Sequence, residues 1–330
     1  MRILITGGAG MLGRKLAARL ARDGAVGGTT VTDLVLADVV APEAPGGASF
    51  PVETRTADLA DPGTAADLVA ARPDVVFHLA AIPSGGAEAG FEAGYRINLD
   101  GTRLLLDAIR AQGPDFCPRV VFSSTIAVFG APFPERIDDT FHLTPLTCYG
   151  SQKAMGELLL SDYTRRGFVD GVGIRLPTVC VRPGSPNLAA SGFFSNIIRE
   201  PLNGLEAVLP VADDVRHAHA SPRATVDNLM HAAQIGGALL GDRRCLTMPS
   251  LSVTVAEQIA ALQEVAGDAA VDLIRREPDP TIERIVAGWP RAFDTARADA
   301  LGFRAEQSFR EIIDVYIADE LGGELRPRPV

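Results

Sequence analysis

Cysteine is scarce and scattered: Cys117, Cys148, Cys180 and Cys245 form no CxxC pair, and no His-rich stretch accompanies them. That spacing excludes a disulfide framework or a zinc site as the organising feature and leaves reduced, partly buried thiols. Positive charge is also short. Lys and Arg number 31 against 41 Asp and Glu, a formal net charge of −10. This is the wrong sign for a phosphate backbone, so a nucleic-acid partner is excluded, although one or two local arginines could still hold a small anion. No apolar run reaches the ~18–20 residues of a membrane span, so no membrane partner is expected. The N-terminal MRILITGG has no charged start followed by a long apolar stretch, and the chain reads as soluble and cytoplasmic. His78, His142, His217, His219 and His231 lack ligand spacing, so no metal is expected. His78 lies inside an apolar run and reads as a satisfied core residue.

What is present is a 330-residue chain, 47% hydrophobic and 22% charged, enough to bury one large domain or two joined ones. Its first half alternates apolar runs with helix-like segments. Arg2 to Thr6, Leu34 to Asp38, Val52 to Ala57, Asp74 to Ala80, Arg119 to Ser123 and Gly171 to Leu176 read as strands. Met11 to Arg22 carries Leu12, Leu16 and Leu20 on one helix face, and Thr64 to Ala71, Tyr95 to Gln112 and Ser151 to Arg165 also read as helices. This alternation predicts an α/β fold with a Rossmann-type, doubly wound parallel sheet. The regularity breaks near Arg182, where RPGSPNLAASG begins. Isolated helices follow at Pro222 to Ala233, Val253 to Val265 and Phe309 to Glu320. The expected division is a dinucleotide-binding domain over 1–176 and a smaller, irregular substrate lobe over 177–330, with some segments of the second free to return to the first.

Two constellations carry chemistry. Gly7-Gly8-Ala9-Gly10-Met11-Leu12-Gly13 follows a strand and opens a helix. Glycines there let the backbone approach a pyrophosphate, and the helix N-terminus offers N–H groups and a positive dipole end. An ordinary Gly-rich turn is the alternative. Asp38 closes the second strand, where a carboxylate accepts from both ribose hydroxyls and repels a 2′-phosphate, favouring NAD over NADP. It could also simply cap a turn. Asp58-Leu59 follows the third strand, within reach of an adenine amino group. The second constellation is Tyr149 and Lys153, four apart and on one helix face. A phenol with a pKa near ~10 is a poor base at neutral pH, and a neighbouring ammonium favours the phenolate. Tyr149 could then take a proton from an alcohol as hydride leaves its carbon. Ser123-Ser124-Thr125 ends the fifth strand, where hydroxyls face the ligand crevice, and Thr125 could orient the substrate oxygen.

TGGAGMLG, HLAA at 78–81, FSSTIAVFG at 122–130 and YGSQK at 149–153 follow one another in an order that resembles the extended short-chain dehydrogenase/reductase family. The resemblance covers most of the chain. It implies NAD as cofactor, lined by Gly7, Gly10, Met11, Leu12, Gly13, Asp38, Asp58, Leu59, Leu79, Ala80, Ala81, Asn98, Ser123 and Pro177. It implies catalysis by Tyr149 and Lys153 with Thr125 and Ser124. Lys153 would also hold the nicotinamide ribose, and Asn98 would support the central helix or a proton relay. Thr125 stands where many members have Ser, keeping the hydroxyl, and Phe129 where many have Tyr. The resemblance also lets the Asn98 and Tyr149 helices pair in a homodimer, although their apolar faces could equally pack within one chain.

From Tyr149 onward, RLPT, VRPGSPN and Ser252-Val253-Thr254 are similar to a bacterial group of sugar-acid dehydrogenases. This implies oxidation of the C2 hydroxyl of a four-carbon sugar acid, D-erythronate to 2-oxo-D-erythronate. Such a substrate needs a cation for its carboxylate, for which Arg182 and Arg223 are the candidates, each with an ordinary ion pair as the alternative. Ser84, Asn187 and Ser191 are candidate hydroxyl partners, beside Thr125 and Tyr149. Arg175, within a strand, reads as structural. The main rival is a nucleotide-sugar epimerase or dehydratase with bound NAD. The RPGSPN region has no obvious basic cluster for a diphosphate, and Ile126 stands where a dehydratase needs an acid. A non-catalytic NAD-sensing regulator is the other alternative, but it would have no need to keep both Tyr149 and Lys153.

Overall fold

The structure, a computed structural model, describes residues 1–184 and 190–325. β1 (Arg2–Thr6) is a β-branched run with four of its five residues buried. It is an interior strand of a seven-stranded, all-parallel sheet. The other strands are β2 (Asp33–Asp38), β3 (Val52–Thr56), β4 (Val75–His78), β5 (Arg119–Thr125), β6 (Asp170–Leu176) and, after two further strands described below, β9 (Cys245–Thr247). The order across the sheet is β9-β6-β5-β4-β1-β2-β3. Strand order therefore reverses between β1 and β4, and parallel sheets of this kind bind ligands outside the C-terminal ends of the strands at that switch point.

Both faces are covered, which is why the central strands read as continuous apolar runs. One core packs α1 (Met11–Asp23) and the later helix Pro222–Gln234 against Ile3, Ile5, Phe77 and Ile174. The opposite core packs α2 (Gly101–Ala111) and α3 (Cys148–Arg165) against Leu4, Val76, Val120 and Phe122. Gly156 lets α3 lie close to β5, since a Cβ there would stand 2.8 Å from the Phe122 ring. A third core joins Phe193, Phe194, Ile259, Leu262, Ile312 and Ile313. It is built from α4 (Gly192–Leu202), α6 (Val255–Ala266) and α7 (Phe309–Glu320), α5 being Pro222–Gln234. Beside it, β7 (Thr178–Val179), β8 (Arg216–Ala220) and β10 (Leu251–Thr254) form a three-stranded sheet.

The chain after residue 177 therefore serves both layers. α5, β9 and Phe303 lie in the core around β1, whereas α4, α6 and α7 enclose their own. The expected helix at Tyr95 to Gln112 is divided into a π-helical turn, Tyr95–Asp100, and α2. The Tyr149 helix starts earlier than its periodicity suggests, at Cys148, because Thr147 caps it by accepting from the Gly150 N–H. Among the described residues no helix is long and apolar enough to cross a membrane.

Candidate active site

The loop after β1 is built to lie against the loop after β4. Gly7 has φ +80°, and a Cβ on it would stand 2.7 Å from the Ala80 nitrogen and 2.8 Å from the Leu79 carbonyl carbon. A Cβ on Gly13 would stand 2.1 Å from the Gly7 oxygen, so α1 can start this close to the loop only with glycine there. Gly10 is exposed, Met11 and Leu12 are half-buried, and the α1 N-terminus has neither a side-chain cap nor an acid in its first turn. Its N–H groups and positive dipole end remain available to an anion. Asp38, half-buried at the end of β2, accepts from the Ala9 N–H at 2.9 Å and from the Val40 N–H at 3.3 Å. Its carboxylate keeps acceptor capacity for a diol. These features fit a dinucleotide.

The remaining residues expected to line the cofactor fall into two groups. Leu79, Ala80 and Ala81 are half-buried beyond β4, Leu59 is buried after β3, and Pro177 is buried between β6 and β7. Others are engaged by the protein itself. Asp58 accepts from the Ala60 N–H and pairs with Arg96 at 2.8 Å. Asn98, 1% exposed in the π-helical turn, exchanges hydrogen bonds with the Ile82 backbone and donates to Gln152 at 2.7 Å. It therefore ties the loop after β4 to the residue preceding Lys153. The Ser123 hydroxyl donates to the His78 carbonyl. His78 is buried between Thr6 and Thr102, with both ring nitrogens partnered.

Tyr149 and Lys153 stand one turn apart on α3, with the Lys153 ammonium 5.8 Å from the Tyr149 ring centre. Lys153 is 1% exposed; its Nζ donates to the Ser123 carbonyl at 2.9 Å and lies 4.7 Å from the Phe122 ring centre. Burial pushes this amine down to about 7, against the pull of the Glu157 carboxylate. Burial pushes the Tyr149 phenol up to about 12, and the charge that opposes it is the Arg182 guanidinium. The sequence reading makes Lys153 the cation that tunes the phenol. In the free chain Lys153 is desolvated and donates to the Ser123 carbonyl, and the charge of Arg182 also draws the phenol down.

Strand alternation separates the three hydroxyls at the end of β5. Thr125 is half-buried, accepting from the Ala127 N–H at 3.1 Å. Ser124, expected among the catalytic hydroxyls, faces the other way and donates to Glu157 at 2.5 Å. Glu157 also takes a bidentate contact from Arg175 at 2.8–3.1 Å, so Arg175 is the structural residue its strand position suggests. Glu157 and Gln152 are absent from the sequence reading, although a carboxylate four residues past Lys153 extends the same helix face and was there to be read.

The two candidate anion-binding arginines part company. Arg182 follows β7 half-buried, its Nε donating to the Val179 carbonyl at 2.9 Å and its guanidinium acting on the Tyr149 phenol. Among the described residues it has no ion-pair partner. Arg223 is exposed on α5 and paired with Asp319, which Lys15 also approaches. Ser84 opens a short helix, Ser84–Ala89, and Ser191 precedes α4, both half-buried. Asn187 lies outside the described residues.

Comparison with known proteins bears on this arrangement. Residues 3–217 match the NAD dependent epimerase/dehydratase family. A D-erythronate dehydrogenase of Cupriavidus necator is 47% identical over 97% of this chain and 98% of its own length. Another, of Haemophilus influenzae, is 42% identical over 96% and 99%. A crystal structure from Agrobacterium tumefaciens, described as a nucleoside-diphosphate-sugar epimerase, superposes with a TM-score of 0.97 at 62% identity, covering 99% of this chain and 96% of that one. With the family's residues spanning the glycine loop, Tyr149, Lys153 and Arg182, the chain belongs to the NAD-dependent epimerase/dehydratase family.

Proposed function

We propose that this enzyme oxidises the C2 hydroxyl of D-erythronate to 2-oxo-D-erythronate with NAD+ as acceptor. The observation that carries the reading is the half-buried Arg182, anchored through its Nε on the Val179 carbonyl at 2.9 Å and near enough for its charge to draw the Tyr149 phenol down. A 2-hydroxy acid presents a carboxylate and a reacting hydroxyl on adjacent carbons, so one cation beside the base holds both in register. The full-length likeness to two proteins named D-erythronate dehydrogenase supports the same substrate.

In this reading the Gly7–Gly13 loop and the α1 N-terminus hold the pyrophosphate, and Asp38 the adenosine ribose. Bound NAD+ supplies the hydride acceptor and a positive charge. Arg182 fixes the carboxylate, with Ser84 and Ser191 available to the hydroxyls. Thr125 orients the C2 oxygen. Tyr149 takes its proton as the C–H bond breaks, and the Lys153 ammonium stabilises the developing phenolate. The reading includes a cytoplasmic homodimer. Leu158, 65% exposed on the outer face of α3, supports that contact, which light scattering of the wild type and of Leu158→Asp would test.

A second reading, nucleotide-sugar epimerisation, is favoured by one observation, the description of the Agrobacterium structure at 62% identity. Absorbance at 340 nm separates the two. NADH accumulating with D-erythronate supports the dehydrogenase. Interconversion of a UDP-hexose without net NADH, and no response to any sugar acid, would replace it with the epimerase.

A further inference from the structure

Three side chains rise in register along α3: Tyr149, Lys153 and Glu157, each four residues from the last. The first two belong to the proposed chemistry. The third is 3% exposed, and a carboxylate is not buried at such depth without partners. Its partners tie it to the strand that holds Lys153. The Ser123 carbonyl accepts from Lys153, and the next residue, Ser124, donates its hydroxyl to Glu157. Arg175, from the neighbouring β6, locks the carboxylate from the other side. The helix and the two strands thereby fix the Glu157 charge one turn below the Lys153 ammonium.

We propose that Glu157 is a positioning residue for the reaction: its carboxylate, clamped by Ser124 and Arg175, keeps Lys153 charged and so sets the pH range over which the Tyr149–Lys153 pair works. The inference rests on the reading of that pair as the reacting groups. Other titratable or charged groups around Lys153 and Glu157 are His78 on β4, Tyr149 and Cys148 on α3, Arg175 on β6, Cys245 on β9, Asp139 beside Arg175, Glu88 beside Cys148, and Arg182 beyond β7. Of these, His78 lies near enough to feel the Lys153 charge, and burial keeps its ring neutral at working pH. Asp139 and Cys245 face Arg175 and Glu157 rather than the amine. Glu157 is thus the negative charge that acts on Lys153.

Lys15 and Lys153 are the chain's two lysines, so enzyme labelled with 13C-lysine gives two titrating side-chain signals, with Lys15, paired to Glu320 at 2.5 Å, as an internal control. Removing a unit charge about one helical turn away in E157Q lowers the Lys153 midpoint by about one to two pH units at an effective dielectric near 20. The alkaline limb of kcat with D-erythronate moves down by the same amount, with little change in KM. E157D, which keeps the charge, restores both. If the lone substitution does not fold, E157Q/R175M removes both members of the buried pair and is expected to displace the midpoint in the same direction by a smaller amount, since the Arg175 charge goes with it. A Lys153 midpoint unchanged in these variants, or E157D behaving as E157Q does, overturns the proposal. The titration needs no turnover. A wild-type enzyme inert toward D-erythronate would therefore sink the substrate reading while the lysine signals still decide the role of Glu157.

Discussion

Replacing Arg182 by Gln probes two consequences of one side chain. Arg182 lies half-buried, held by Val179 and near enough to Tyr149 for its charge to act on the phenol, and burial pushes its guanidinium below the ordinary value. A desolvated cation gains more from a carboxylate than an exposed one does. Charge-assisted hydrogen bonds contribute about 1.5–3 kcal/mol each, so loss of a bidentate pair costs about 3–6 kcal/mol, or roughly 10²- to 10⁴-fold in kcat/KM. The substitution also removes the charge that draws the Tyr149 phenol of the free enzyme down, so the acid limb of kcat/KM moves to higher pH. Steady-state rates with D-erythronate from pH 6 to 10 measure both effects, and added guanidinium should recover part of the first. Arg223→Gln is the contrast. That side chain is exposed and paired with Asp319, and its loss should cost less than about threefold, as surface pairs do. Near-wild-type kcat/KM in Arg182→Gln, or a larger loss in Arg223→Gln, would refute the assignment of the carboxylate to Arg182.

Three further outcomes follow from the geometry. Gly13→Ala drives a methyl group to 2.1 Å from the Gly7 oxygen; an overpacking cost of about 1–3 kcal/mol should lower Tm by several degrees, and calorimetric titration should find NAD binding weakened at least about tenfold. Asp38→Ala removes the charge that repels a 2′-phosphate and the acceptor for Ala9; the NAD-to-NADP ratio of kcat/KM should fall by about tenfold or more. Burial lowers His78 to about 3 and His217 to about 4, so the unfolded chain takes up these protons first as pH falls. Stability is then full above about pH 6.5 and is lost as pH falls through the folded values. Urea midpoints measured from pH 7 to 4 should fall, and His217→Gln should flatten that decline; a decline as steep as in the wild type would count against this source.

Local signals made much of the frame legible. Phe309–Glu320 begins where Ser308 can cap it, and its periodicity carries it to the end. The βαβ rhythm from Arg2 to Leu176 fixes a parallel, doubly wound sheet because each apolar run must be covered on both faces. β9 escaped because it is three residues long, Cys245–Thr247, with no pattern of its own. Its place depends on Gly173, where any Cβ would collide with the Cys245 sulfur. The Tyr149–Lys153 spacing is local and readable. The direction of the phenol's shift is not, because desolvation and the position of Arg182 arise only from tertiary packing. For the same reason sequence could not divide Arg182 from Arg223, whose burial and ion pairing depend on tertiary packing; strand alternation does set Ser124 opposite Thr125, but not which partner it meets there.

The most direct test of the central claim is the fate of deuterium at C2. D-erythronate labelled there, mixed with NAD+ and the enzyme, should yield reduced cofactor carrying one deuterium at nicotinamide C4, together with 2-oxo-D-erythronate. The same experiment with Tyr149→Phe should slow by about 10²-fold or more. Deuterium that stays on the acid with no reduced cofactor formed, or a Tyr149→Phe enzyme that transfers it at the wild-type rate, would contradict the account.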